Sequence, residues 1–99
     1  MKYYALINSA DGFIVEEVDG KKATFCKDAF IYKRGKIYHL VDIQTGLSIV
    51  RSFRMNYLNE LFDLKKQEYE KYRKTDAYRI KVERFEKMKV ISNYSKGVK

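Results

Sequence analysis

The residue pattern changes its repeat at Ser52, and this change constrains the fold more than any other feature. Before Ser52, short runs of alternating apolar and polar residues are separated by turns that contain glycine. After it, neither glycine nor proline occurs until Gly97, and apolar residues recur at helical spacing. Side chains alternate with a period of two along a strand and about 3.6 along a helix. The sequence therefore predicts an α+β fold: an N-terminal antiparallel β-meander of about five to six short strands, followed by one or two C-terminal helices packed on the sheet.

The chain of 99 residues fits a single domain, 1–99. The meander is predicted over 3–51 and a first helix over 54–73. Over 76–91 we prefer a second helix, but a strand stays open because apolar residues also alternate there. The apolar stripes before and after residues 74–76 are out of phase on one straight helix, so we expect a break there. Either Thr75 or Asp76 would then cap a second helix.

Asp19-Gly20 is the strongest hairpin signal in the first half of the chain. Aspartate and glycine tolerate the positive φ angles of a type I′ turn. We therefore expect residues 21–26 to return antiparallel along the run 13–18.

The meander from 30 to 50 has two further turns and one apolar face. Arg34-Gly35 forms the first turn, and Gly46 suits the left-handed position of the second. If Ile43 pairs with Leu47, one face holds Phe30, Tyr32, Ile37, His39, Val41, Ile43, Leu47 and Ile49. The opposite face holds Lys33, Lys36, Tyr38, Leu40, Asp42 and Ser48. We expect the first helix to pack on the first face.

The residue inventory argues against catalysis. With one histidine and one cysteine, the chain cannot assemble a zinc site from His and Cys ligands, and we expect no metal or cofactor. Neither a Cys26–His39 pair nor a set of His39, Asp42 and Ser48 has a catalytic signature around it. A single cysteine also forms no intramolecular disulfide, as is typical of a reducing, cytosolic setting. The prediction is a protein that is not an enzyme.

The formal net charge of +8 is concentrated in the C-terminal half. Residues 1–53 carry eight basic and six acidic side chains, whereas residues 54–99 carry thirteen and seven. In the basic stretch 65–74, Tyr69 and Tyr72 share a helical stripe with Leu58, Leu61 and Phe62, so we interpret both tyrosines as structural. The lysines around them form a solvated face that can contact phosphate but shows no sign of reading base sequence.

Six basic side chains are the predicted binding residues, because they are the densest positive positions outside the apolar stripes. Three flank the Arg34-Gly35 turn, two flank Phe53, where Ser52 would cap the first helix and favour an anion, and one ends that helix. They are Lys33, Arg34, Lys36, Arg51, Arg54 and Arg73.

Two functions are consistent with these features. The first is a small basic accessory protein that contacts nucleic acid, either DNA or RNA, through the phosphate backbone. The alternative is a phage or mobile-element inhibitor or adaptor, anti-defence or anti-CRISPR-like, that docks on a larger nucleic-acid-processing protein. We expect a cytoplasmic location in a bacterial host cell, no membrane partner, and leave a homodimer open.

Overall fold

The computed structural model describes residues 1–10 and 12–97, which form six strands and two helices. The predicted α+β fold is confirmed: two antiparallel sheets are followed by two C-terminal helices packed on them. The elements in chain order are β1 (Lys2–Ser9), β2 (Gly12–Asp19), β3 (Lys21–Lys22), β4 (Ala29–Arg34), β5 (Ile37–Asp42), β6 (Ser48–Ser52), α1 (Tyr57–Tyr72) and α2 (Asp76–Gly97).

β1 and β2 form a two-stranded sheet, paired from Lys2 opposite Asp19 to Ser9 opposite Gly12. The predicted hairpin at Asp19-Gly20 is therefore wrong. β2 already pairs along its length with β1, and the chain leaves it at Gly20 to join the other sheet. A Cβ at Gly20 would lie 2.8 Å from the carbonyl oxygen of Ile31, so glycine serves there for a close crossing between sheets.

The second sheet has the strand order β3-β4-β5-β6. Both of its predicted glycine turns are confirmed, since Gly35 has a φ of 61° and Gly46 a φ of 70°. The predicted pairing of Ile43 with Leu47 implies a register that is observed from Tyr38 opposite Ser52 to Leu40 opposite Val50, but that register fails next to the turn. Val41 lies opposite Ser48 while Leu40 lies opposite Val50, so the ladder slips at this point. The slip is typical of a β-bulge, which moves later side chains to the other face.

Both faces of the second sheet are buried, which corrects the predicted core. The face with Phe30, Tyr32 and Val41 packs against β1 and β2 rather than against a helix. α1 instead covers the opposite face, where Ile31, Leu40 and Val50 lie. A sheet covered on both sides has no solvent face, so alternation alone could not identify the helix-bearing side.

The helical half follows the predicted stripes but begins later than expected. α1 begins at Tyr57 instead of 54, and Leu58, Phe62 and Tyr69 are buried against the sheet. Ser52 ends β6 and does not cap α1; its hydroxyl accepts a hydrogen bond from the Arg54 amide at 3.1 Å.

α2 shows that residues 76–91 form a helix rather than a strand. The Thr75 hydroxyl accepts a hydrogen bond from the Tyr78 amide at 3.2 Å, which identifies Thr75 as the N-cap. Tyr78 and Phe85 of the second predicted stripe are buried.

Candidate functional site

Five of the six predicted binding residues lie at one end of the second sheet. Lys33 and Arg34 end β4, and Lys36 lies in the turn that follows. On β6, Arg51 lies opposite His39, and Arg54 follows two residues after the strand ends. We call Lys33, Arg34, Lys36, Arg51 and Arg54 the basic sheet end.

Arg34 and Arg51 share the face of the sheet that packs against β1 and β2. Arg34 Nη1 lies 3.1 Å from Glu16 Oε2 of β2, with both side chains about half exposed. Between the two arginines, burial and the positive charges of Arg51 and Arg34 lower the pKa of His39 below its usual value. His39 thus lies in the combined positive field of both guanidinium groups.

The other face at this end combines lysine with an aromatic ring. Lys33 Nζ lies 5.3 Å from the centre of the Tyr38 ring, and Met55 lines the same shallow cleft. Beyond the strand, the Arg54 guanidinium lies 5.5 Å from the centre of the Tyr57 ring. Cation–π contacts of this length hold a positive charge beside an aromatic surface without neutralising it.

Arg73 lies away from the other five. It follows the last residue of α1, whereas Arg54 precedes the first, and 16 helical residues separate them by about 24 Å. Its Nη1 lies 2.7 Å from Asp28 Oδ2, and its guanidinium lies over the rings of Tyr69 and Tyr78. The side chain thereby joins the end of α1 to the loop before β4.

A buried carboxylate at the end of β5 joins several elements, a structural role that the sequence pattern did not predict. The Asp42 side chain is buried, and its Oδ2 accepts hydrogen bonds from the Thr45 amide at 3.1 Å and the Thr45 hydroxyl at 2.8 Å. Tyr69 of α1 donates to Oδ1 at 2.5 Å, and Tyr78 of α2 donates to Oδ2 at 2.8 Å. Asp42 therefore joins the β5–β6 turn to both helices. The only local signal is the spacing of Asp42 and Thr45, which suits a turn closed by the aspartate side chain.

The residues considered for catalysis are only partly brought together. Cys26 is buried in the core under α1, where burial raises the pKa of its thiol, whereas His39 projects from the opposite face of the sheet. His39 Nδ1 does lie 3.0 Å from the Ser48 hydroxyl. Asp42, the third member of that set, is directed toward α1 and α2. The arrangement therefore lacks the carboxylate that would orient the imidazole.

Within residues 1–10 and 12–97, no three His, Cys, Asp or Glu side chains cluster as metal ligands. In that same part of the chain no helix combines the length and apolar character needed to cross a bilayer. No family model, curated protein or solved structure matches the chain.

Proposed function

We propose that this protein is a small, non-enzymatic binding protein that contacts nucleic acid through the phosphate backbone, using the basic sheet end. The observation that carries the proposal is that five cationic residues, from the β4–β5 hairpin, β6 and the connection to α1, lie at one end of the second sheet. Among the described residues, only Arg34 of this set forms an ion pair. The other four charges are available to an anionic partner.

The charge of the whole chain supports the same partner. A net charge of +8 on 99 residues, with a pI near 9.5, attracts any polyanion and speeds its encounter. Each phosphate neutralised by lysine or arginine releases condensed counterions, which favours binding at low salt. Arginine adds bidentate geometry, which suits phosphate oxygens.

A second candidate function is a protein-docking inhibitor or adaptor, of phage or mobile-element origin, acting on a nucleic-acid-processing enzyme in a bacterial cytoplasm. The observation that favours it is the exposure of Phe53, Met55 and Tyr57 beside Arg51 and Arg54. Aromatic, methionine and arginine side chains are the residues enriched at protein interfaces. We rank it second because four of the five charges at the basic sheet end have no ion-pair partner among the described residues, and these charges suit a polyanion better than an apolar protein surface.

A salt titration separates the two functions. Wild-type protein is titrated against labelled single-stranded and duplex oligonucleotides over a series of salt concentrations. If three to five phosphates are contacted, log K falls with log salt with a slope of roughly −2 to −4.5. If neither oligonucleotide binds at low salt, the nucleic-acid proposal fails and the docking function becomes the better one.

A further inference from the structure

The connection between β6 and α1 exposes aromatic side chains beside positive charge. Phe53 is 74% exposed, and Tyr57 is 43% exposed at the start of α1. In the described part of the chain, Phe13 is the one other aromatic residue that is clearly exposed. Two of three exposed aromatics therefore lie within five residues of one another, next to Arg51 and Arg54.

These side chains are not needed for the core. The first residue of α1 in the core cluster is Leu58, which is fully buried, and the cluster includes neither Phe53 nor Tyr57. The Arg54 guanidinium lies 5.5 Å from the centre of the Tyr57 ring, so this segment places a cation beside an aromatic side chain. Exposed aromatic area that does not serve the core is typical of a recognition surface.

We infer that the ligand of this surface is a single-stranded nucleic acid, whose bases stack on Phe53 and Tyr57 while the basic sheet end holds the phosphates. This inference rests on the proposed function and adds to it the class of substrate. In a duplex the base faces are already stacked on one another, so an exposed ring cannot reach them without breaking that stacking. In a single strand the base faces are free, and stacking on aromatic side chains beside cationic groups is how such strands are bound.

Charge favours this occupant over a protein. Four basic side chains of the neighbouring sheet end have no ion-pair partner in the described residues, and phosphates supply matching negative charge along the whole strand. A protein that covered the same surface would have to bring several carboxylates to it. Stacking also needs no particular base, so the inference assigns no sequence preference to this surface.

The test compares a labelled oligothymidylate with the same strand annealed into a duplex, by fluorescence anisotropy at fixed low salt. We expect the single strand to bind more tightly than the duplex. Phe53→Ala and Tyr57→Ala should each weaken single-strand binding by roughly fivefold or more and change duplex binding by less than about twofold. Tyr57→Phe, which keeps the ring, should retain the affinity. Leu64→Ala removes an apolar side chain that is 82% exposed in the middle of α1 and is the matched control.

Two results would overturn the inference, and they differ in what they say of the proposed function. If the duplex binds as tightly as the single strand, or if Phe53→Ala and Tyr57→Ala bind both like wild type, stacking is absent while backbone binding stands. If wild type binds neither oligonucleotide, the proposed function fails as well, and the exposed aromatics are better assigned to a protein partner. Circular dichroism of each variant confirms that the fold is retained.

Discussion

The Tyr78 hydroxyl, in the first turns of α2, donates a 2.8 Å hydrogen bond to Oδ2 of Asp42, the last residue of β5. The two residues are 36 positions apart in the chain, and both are buried. Because Tyr69 of α1 donates to the other oxygen, one carboxylate holds both helices to the sheet. Substitutions that remove these hydrogen bonds should therefore lower the stability of the whole protein.

Removing either tyrosine hydroxyl should destabilise the protein measurably. Tyr69→Phe and Tyr78→Phe should each lower the free energy of unfolding by about 1.5–3 kcal/mol, the usual contribution of a hydrogen bond to a charged group. Asp42→Ala should cost about 3–5 kcal/mol, because it leaves several buried donors unpaired. Urea denaturation measures both. Tyr72→Phe is the control, since no hydrogen bond of its hydroxyl is found among the described residues, and equal losses in all three Tyr→Phe variants would contradict this role for Asp42.

The same tyrosines predict loss of stability at alkaline pH. Burial and the hydrogen bond to Asp42 raise the pKa of Tyr69 far above its usual value, and burial raises the pKa of Tyr78 to about 12. In the unfolded chain both titrate near their usual pKa of about 10. Above that pH the unfolded state loses protons that the folded state keeps, so the free energy of unfolding decreases as pH rises, by about 1.4 kcal/mol per unit for each tyrosine. For Tyr78 this ends near pH 12.

Denaturant midpoints measured from pH 9 upward check this expectation. Tyr69→Phe and Tyr78→Phe should each have a shallower decline than wild type. If the denaturant midpoint of Tyr69→Phe and of Tyr78→Phe declined with pH as steeply as that of wild type, the alkaline loss of stability would be due to other groups.

Gly46→Ala should be far more damaging than Gly35→Ala, although both glycines have positive φ. At Gly46 a Cβ would lie 2.5 Å from the Phe85 ring and 3.0 Å from the Leu6 amide nitrogen, in addition to a φ of 70°. Left-handed strain and overpacking together predict a loss of about 2–4 kcal/mol. At Gly35 a Cβ meets nothing within 4 Å, so only the backbone cost of about 1 kcal/mol applies. Thermal denaturation of the two variants checks the difference, which equal melting temperatures would refute.

Charge reversal at the hairpin tests the basic sheet end. The double variant Arg34→Glu, Lys36→Glu should weaken binding to every oligonucleotide alike and flatten the salt slope by about one unit for each lost phosphate contact. The first of these changes also replaces the ion pair between Arg34 and Glu16 with two like charges. Because both groups are half exposed, this should change stability by only about half a kcal/mol.

Arg84→Glu with Lys87→Glu is the matched control, because it makes the same change in net charge on exposed residues of α2. Filter binding of both double variants across a salt series provides the comparison. Equal weakening by the two would mean that net charge, rather than this surface, governs binding.

His39 should report whether a polyanion occupies the sheet end. Burial and the charges of Arg51 and Arg34 lower its pKa in the folded protein. As pH falls below about 6.5, the unfolded state therefore takes up a proton that the folded state resists, and stability decreases. Phosphates bound at the two arginines would offset their repulsion and raise the His39 pKa. An NMR titration of the imidazole with and without saturating oligothymidylate measures the shift, and His39→Gln should remove this part of the acid sensitivity. No pKa change on saturation would place the ligand elsewhere.

Local patterns determined a large part of this fold. The switch of period at Ser52 separates strands from helices because side-chain alternation is a property of each segment by itself. The left-handed glycines at 35 and 46 and the Thr75 cap follow from the chemistry of one or a few neighbouring residues. That five of the basic residues meet at one end of the second sheet did not follow from the sequence, because they lie on separate elements and strand pairing sets which ends meet.

Tertiary structure alone decided which segments meet. Asp19-Gly20 permits a hairpin, but β2 pairs with β1, and the choice between those partners depends on contacts far apart in the chain. The bulge at Val41 moved the start of β6, at Ser48, out of the expected register, and the second sheet is covered on both faces. From the sequence, Asp42 is a strand residue on the face opposite the predicted core. In the structure it is buried, because Tyr69 of α1 and Tyr78 of α2 both donate hydrogen bonds to it. From the sequence, Arg73 is one of several surface cations. In the structure it forms an ion pair with Asp28 at 2.7 Å. The type of a residue determines which bonds it can form. Which partner it finds depends on how distant segments pack, because burial and pairing are properties of the assembled core.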